Sequence, residues 1–167
     1  MKLLLTFLAT VLLLTSCKTT QELNTVDYVD LERYQGKWYE ITKIPNRFEK
    51  NLIYVTANYT LKENGKIKVL NDGYNTKKEK YEKAVGEAKV NGPGKLGVSF
   101  FKPFYGDYYI MELDEDYQWV LVGSPSRDYL WILARTPQIS EELITELSKK
   151  AENAGFDISR LKRMEQQ

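Results

Sequence analysis

The sequence predicts an all-β fold: an eight-stranded antiparallel up-and-down β-barrel with one C-terminal α-helix packed outside it. Three observations carry that expectation. From Trp38 to Arg135 the chain breaks into eight short strand-like stretches at 38–44, 53–61, 66–71, 79–90, 95–101, 107–113, 117–122 and 129–135. Each is separated from the next by a turn-forming cluster. Within the stretches apolar residues alternate with polar ones, which is the period of a half-buried strand. Only one stretch, after Pro137, carries helical spacing instead. Short links between consecutive strands imply an antiparallel meander, and closing eight such strands into a barrel removes the exposed edges.

The elements follow in order. The first strand-like stretch begins at Trp38, after a short polar turn, Asp30 to Tyr34. In the second, Val55, Ala57, Tyr59 and Leu61 share one face, and Tyr54, Thr56, Asn58 and Thr60 the other. Glu63-Asn64-Gly65 and Asp72-Gly73-Tyr74-Asn75 bracket the third. In the fourth, Ala84, Gly86, Ala88 and Val90 alternate with Val85, Glu87 and Lys89, and in the fifth Leu96, Val98 and Phe100 share a face. Small inward residues (Ala57, Gly86, Ala88) leave room inside a barrel of this size, which either fills with side chains or holds one small ligand. Asn91-Gly92-Pro93-Gly94, Lys102-Pro103-Phe104-Tyr105-Gly106, Asp114-Glu115-Asp116 and Ser124-Pro125-Ser126 supply the later turns. The helix starts at Ser140 as N-cap, with Glu141 and Glu142 at the positive end of its dipole and an Ile139/Ile144 staple. Leu143, Ile144, Leu147, Ala151 and Ala154 form its apolar stripe and Gly155 its stop, after which Phe156 to Arg163 reads as a closing strand.

Composition bounds the chemistry. With 24 basic and 23 acidic residues among 167, net charge is near zero, which argues against nucleic acid as a partner. The chain has no histidine and one cysteine. That removes an internal disulfide, the Ser-His-Asp and Cys-His arrangements and most zinc sites, so no metal, no cofactor and no catalytic residue is expected. The rich supply of tyrosine, twelve in all, suits β-structure.

That lone cysteine, Cys17, sits at the end of a signal-like segment. Lys2 provides a positive start, and Leu3 to Leu14 is an apolar run too short to span a bilayer comfortably. Leu14-Thr15-Ser16-Cys17 resembles the bacterial lipobox. The resemblance implies cleavage after Ser16, S-diacylglycerol and N-acyl groups on Cys17, and anchoring in a membrane by several acyl chains, where one holds only marginally. Lys18, in place of the aspartate linked to inner-membrane retention, implies the outer membrane. The expected organisation is a signal peptide over 1–16, a lipidated tether over 17–29 and one domain over 30–167.

The domain itself resembles a known family. Gly36-Lys37-Trp38-Tyr39 matches the Gly-X-Trp motif that opens the first lipocalin strand, and Arg135 in "WILAR" matches the lipocalin arginine that packs across that tryptophan. Asp114-Glu115-Asp116-Tyr117 is a looser match to the Thr-Asp-Tyr loop motif. "KWYEITKIPNRFE", "VTANYTL", "VSFFKPFYG" and "RDYLWILARTP" are similar to bacterial outer-membrane lipocalins, with apolipoprotein D and temperature-induced lipocalins as kin; the likeness runs from about Leu31 to Arg163.

This resemblance implies a structural role for Gly36, Trp38, Asp114, Tyr117 and Arg135 at the closed end. It implies a binding protein, not an enzyme, that stores or transports fatty acids, lysophospholipids or similar lipids in envelope maintenance or stress. Ala57, Tyr59, Gly86, Ala88, Val98, Phe100 and Leu133 are the expected cavity wall. Trp131, four residues before Arg135 and roughly 13 Å up the strand, is either core filling or a ligand-contacting aromatic. Tyr105 is either a solvated turn residue or a phenol that reaches a head group. The loop Pro45 to Asn51 resembles the loop that covers the lipocalin mouth, its basic Arg47 and Lys50 either meeting an anionic head group or simply solvated, and Glu40 is expected to be buried with a partner or protonated. Two rival readings stay open: a lipocalin-fold enzyme with a carboxylate–tyrosine site at Glu40, Asp107 or Tyr108, and an interaction protein with a filled barrel. A homodimer also stays open.

Overall fold

A computed structural model of the chain describes residues 22–167. Cys17 and the signal segment lie outside the described residues. Eight strands, β1 (Gly36–Lys43), β2 (Leu52–Leu61), β3 (Ile67–Asn75), β4 (Lys80–Gly92), β5 (Lys95–Phe101), β6 (Phe104–Leu113), β7 (Trp119–Gly123) and β8 (Leu130–Ala134), run antiparallel in sequence order. β8 pairs back onto β1, and β1 onto β2, which closes the barrel. A short helix α1 (Leu31–Tyr34) covers one end, and α2 (Glu141–Asn153) lies outside. A two-residue strand β9 (Lys162–Arg163) pairs with the upper end of β1.

Two apolar clusters divide the interior from the outer layer. The inner one joins Trp38, Tyr59, Val69, Ala88, Leu96, Ile110, Val120, Val122 and Leu133. The outer one packs Ile41, Leu121, Ile132 and Ala134 from the back of the sheet against Ile144, Leu147 and Ala151 of α2. Alternation along β1, β7 and β8 sends successive residues to the two clusters, so one strand serves both. The helix begins where the sequence places it: the Ser140 hydroxyl accepts from Leu143 N at 3.2 Å. It stops at Gly155, with φ of +91°. Residues 22–167 thus hold the whole barrel, the helix and both cores, a self-contained folding unit.

The structure corrects several boundaries. Asp72-Gly73-Tyr74-Asn75 is not a turn but the end of β3, and the reversal comes after Asn75. Phe104, Tyr105 and Gly106 belong to β6, leaving Lys102-Pro103 as the hairpin link. Of 156–163 only Lys162–Arg163 is strand. Val90 is half exposed, so the inward face of β4 ends at Ala88. The packed region also starts before residue 30. Leu23 is buried in the outer cluster, and Val26 N donates to Ile110 O at 3.0 Å, so 22–29 lies on the barrel wall and is not a free tether.

Closure between β1 and β2 is partial. Four pairs, Gly36↔Tyr59 to Tyr39↔Thr56, seal the lower half. Above them the C-terminal segment enters the gap: Met164 N donates to Ile41 O, and Tyr54 N to Glu165 O, both at 2.9 Å. The Gln166 amide bridges Glu40 O (2.7 Å) and Val55 O (2.9 Å), tying together the two strands where their ladder has ended.

Candidate functional site

The closed end is built from the motif residues. The Arg135 guanidinium lies 3.9 Å from the centre of the Trp38 ring and donates to the carbonyls of Arg33 (2.7 Å), Lys37 (3.0 Å) and Tyr117 (3.2 Å). Trp38 is fully buried, and its Nε1 donates to Tyr34 O at 2.9 Å. Gly36 has φ of +89°, and a Cβ there would meet the Arg135 guanidinium at 3.4 Å, so glycine suits the motif on both counts. Asp114 holds the loop before β7: its carboxylate accepts from Gln118 N and its carbonyl from Tyr117 N. The buried Tyr117 hydroxyl accepts from Asp30 N at 2.8 Å, which ties that loop to α1. Among the described residues, no buried side-chain polar atom of this plug lacks a partner.

Above the plug three tyrosines share hydrogen bonds inside the barrel. The Tyr108 hydroxyl is 2.8 Å from that of Tyr34 and 3.0 Å from that of Tyr59. Burial raises all three, Tyr59 to about 12 and the other two well above the usual phenol range, so they stay protonated. Ala57, Val98, Phe100 and Trp131 face the interior yet stay partly accessible, beside the fully covered Trp38, Ala88, Ile110, Val120 and Val122. Gly86 does not leave the expected vacancy: the Phe100 ring lies 2.9 Å from where its Cβ would be and fills that space.

Near the mouth the interior carries charge. A bulge between Glu40 and Thr42 shifts β1 by one residue, so Lys43 pairs with the inward Trp131. Strict alternation would have placed Lys43 outside and Thr42 inside. The Lys43 ammonium lies 2.8 Å from Glu40 Oε1 and 2.9 Å from Glu49 Oε2. Glu40 and Lys43 are 3% and 5% exposed. Burial pushes Glu40 up to about 8, the nearby Glu49 carboxylate adds to the shift, and Lys43 offsets only part of it. Burial alone would lower Lys43, but the two carboxylates outweigh it and raise it. The expected partner of Glu40 is thus Lys43, which sequence reasoning missed because the bulge is invisible to strict alternation. On β3, Asn71 pairs with the inward Ala57 and Ala84, and its buried Oδ1 has no partner among the described residues.

The 45–51 loop meets this cluster through the acidic Glu49, while the basic Arg47 and Lys50 are exposed. Asn46 Oδ1 accepts from the backbone N of Phe48 and Glu49, and Asn46 Nδ2 donates to Glu49 Oε2 at 2.7 Å. The exposed Phe48 stacks on Tyr129 at 6.5 Å, and Tyr129 on Trp131 at 5.8 Å, an aromatic ladder running from rim to interior.

Tyr105 is a correction. It stands on the outer wall, where its hydroxyl donates to Glu87 at 3.1 Å beside Lys66 (3.0 Å) and Lys102 (3.2 Å), so it does not face the lumen. Asp107 is exposed on the same outward face as Tyr105, apart from the inward Tyr108. Among the described residues no group of His, Cys, Asp and Glu is set to hold a metal ion, and no helix is long and apolar enough to cross a membrane.

The comparisons with known proteins agree with this architecture. The lipocalin-like domain family matches residues 29–166. The chain is 45% identical over 138 residues to the outer membrane lipoprotein Blc of Escherichia coli K12, covering 81% of this chain and 78% of that one. It is 41% identical over 153 residues to temperature-induced lipocalin-1 of Arabidopsis thaliana, covering 84% and 81%. The crystal structure of Per a 4, a cockroach allergen, superposes with a TM-score of 0.71 at 19% identity over 86% of this chain and 92% of that one, a likeness of fold. The outer-membrane assignment of the bacterial relatives agrees with the localisation expected from the N-terminus. With an eight-stranded barrel, a tryptophan–arginine plug and a family match over nearly all the described residues, the chain belongs to the lipocalin family.

Proposed function

We propose that this protein is a lipid-anchored cup of the bacterial outer membrane that stores or transports fatty acids, lysophospholipids or similar lipids, and serves envelope maintenance under stress. Acyl groups on Cys17 hold it at the membrane that supplies the ligand. The observation that carries the reading is the lining of the barrel: a sealed aromatic base, inward apolar side chains that keep accessible surface, and a small set of polar groups under the mouth. That is the lining a lipid with a polar head requires. Each buried methylene contributes about 0.8 kcal/mol, so a long chain drives binding even where head-group contacts are few.

Native mass spectrometry of residues 18–167, which lack the lipidated cysteine, tests this after incubation with oleate and with 1-oleoyl lysophospholipids. One-to-one adducts are expected. The absence of any adduct would end the reading in favour of a filled barrel, in which Phe100 over Gly86 is part of a closed core.

A further inference from the structure

Glu49 occupies an unusual position. Its carboxylate sits at the end of a short aliphatic stem, enters the barrel from the mouth loop and rests on a buried ammonium, Lys43. The loop organises this approach with its own side chain. Asn46 turns the backbone by accepting from Phe48 and Glu49, and grips the carboxylate from above. From below, Lys43 is shared with Glu40, which belongs to the strand and stays when the loop lifts. The charged groups at this point are therefore one ammonium and two carboxylates, one on the strand and one on the loop. The loop carboxylate travels with Phe48, the outermost ring of the ladder through Tyr129 to Trp131.

We propose that Lys43 is the head-group site of the barrel, and that Glu49 is a built-in stand-in which the anionic head of an incoming lipid displaces. The inference rests on the lipid-cup reading above and names the ligand class of that same site. The exchange is balanced in charge. One carboxylate leaves Lys43 and one singly charged anion arrives, so no net charge is added to a site where an unpaired charge is costly. Loss of the Glu49 contact frees the loop, and with it Phe48, which uncovers Tyr129 and Trp131 for the upper part of the acyl chain. The tail then follows the accessible inward surface of Phe100, Val98 and Ala57. A neutral head cannot replace Glu49 on the ammonium. A doubly charged phosphate monoester would bring excess charge. The class selected is a lipid with one negative charge at its head, either the carboxylate of a fatty acid or the phosphodiester of a lysophospholipid.

The test measures dissociation constants of residues 18–167 for oleate, 1-oleoyl lysophosphatidylglycerol and oleyl alcohol, in the wild type and in Glu49→Gln and Lys43→Met. Glu49→Gln keeps the side-chain shape and removes the competing charge, so oleate binding should tighten by about tenfold while oleyl alcohol changes less than about twofold. Lys43→Met should reduce oleate to the affinity of the alcohol. The lysophospholipid arm tells which anion source the site accepts, and either one alone sustains the proposal. Because Lys43→Met also removes a buried charge from the fold, a second readout follows hydrogen exchange at the Phe48 and Glu49 amides of the wild type. Oleate should speed it and the alcohol should not. Equal effects of Glu49→Gln on acid and alcohol, or unchanged loop exchange on binding oleate, would overturn the head-group assignment while leaving the lipid cup standing. Failure of the alcohol as well as the acids to bind would remove the cup and this inference with it.

Discussion

Glu40, inside the barrel, and Glu87, on its outer wall, are both carboxylates with little exposure and a lysine within 3.0 Å, yet their surroundings push them in opposite directions. Glu40 shares its one ammonium with Glu49, two acids to one base, and is driven up to about 8 by burial first and Glu49 second. Glu87 has two ammoniums, Lys66 and Lys102, and the Tyr105 hydroxyl, and these donors draw it down to about 2 against the burial that opposes them. Burial raises both acids; two ammoniums and a phenol outweigh it at Glu87, and one shared ammonium does not at Glu40. An acid with donors in surplus is a structural clamp. One that shares too few is a place where a proton or a ligand changes the balance.

The sharpest way to break the comparison is to remove the inner cation. Lys43→Met leaves two carboxylates facing each other in a buried site, and such uncompensated charge costs about 3–5 kcal/mol. Urea unfolding at pH 8 should show that loss, and repeating it at pH 5 should show a smaller one, because a protonated Glu40 no longer needs the ammonium. An equal loss at both pH values would mean that Lys43 acts there by packing alone.

The next prediction isolates the proton on Glu40. Its folded value is raised to about 8 from an ordinary 4.5, so between these limits the folded state holds a proton that the unfolded chain has released. The stability it contributes is full below pH 4.5 and declines as pH rises through about 8. The decline amounts to a few kcal/mol at most. Glu40→Gln carries a permanent neutral amide and should flatten this part of the stability curve. A wild-type curve already flat from pH 5 to 8 would show that Glu40 is ionised throughout.

The same pair of sites shows what the sequence makes legible. The barrel was readable because its strands alternate and its turns are punctuated, and the plug because Gly36, Trp38 and Arg135 resemble a family motif. Where punctuation misled, packing had overruled it. Asp72-Gly73-Tyr74-Asn75 looks like a turn, but a Cβ on Gly73 would lie 3.1 Å from Val55 Cγ2, so glycine there serves the close approach of two strands. Glu40 was legible as a buried acid in need of a partner, since parity with Trp38 turns it inward. Lys43 was not, because one bulge reverses the parity of everything after it. Glu49 was hidden for another reason. Its role depends on a loop conformation set by the Asn46 side chain, and no periodicity encodes that. Tyr105 failed in the opposite sense: assigned to a turn, it had no face, and membership of β6 gave it the outer one.

The smallest expected effect belongs to the outer cluster, and its signs are the reverse of the inner ones. Because Glu87 is lowered to about 2, the unfolded chain binds the proton first as pH falls. Its stabilisation is therefore present above pH 4.5 and lost as pH drops through about 2. Glu87→Gln should destabilise the protein at pH 7 and make little difference near pH 2, where most of the charge-dependent stabilisation is already lost. Salt supplies a second contrast. The lysines that hold Glu87 are about half exposed, 45% for Lys66 and 60% for Lys102, so ions reach them. At 1 M salt the screening length shrinks to about 3 Å, and the penalty of Glu87→Gln should largely disappear in thermal unfolding scans. The penalty of Lys43→Met, with its partners sealed under the mouth loop, should persist. If the two penalties fade together with salt, the inner cluster is as wet as the outer one, and the proton on Glu40 loses its physical cause.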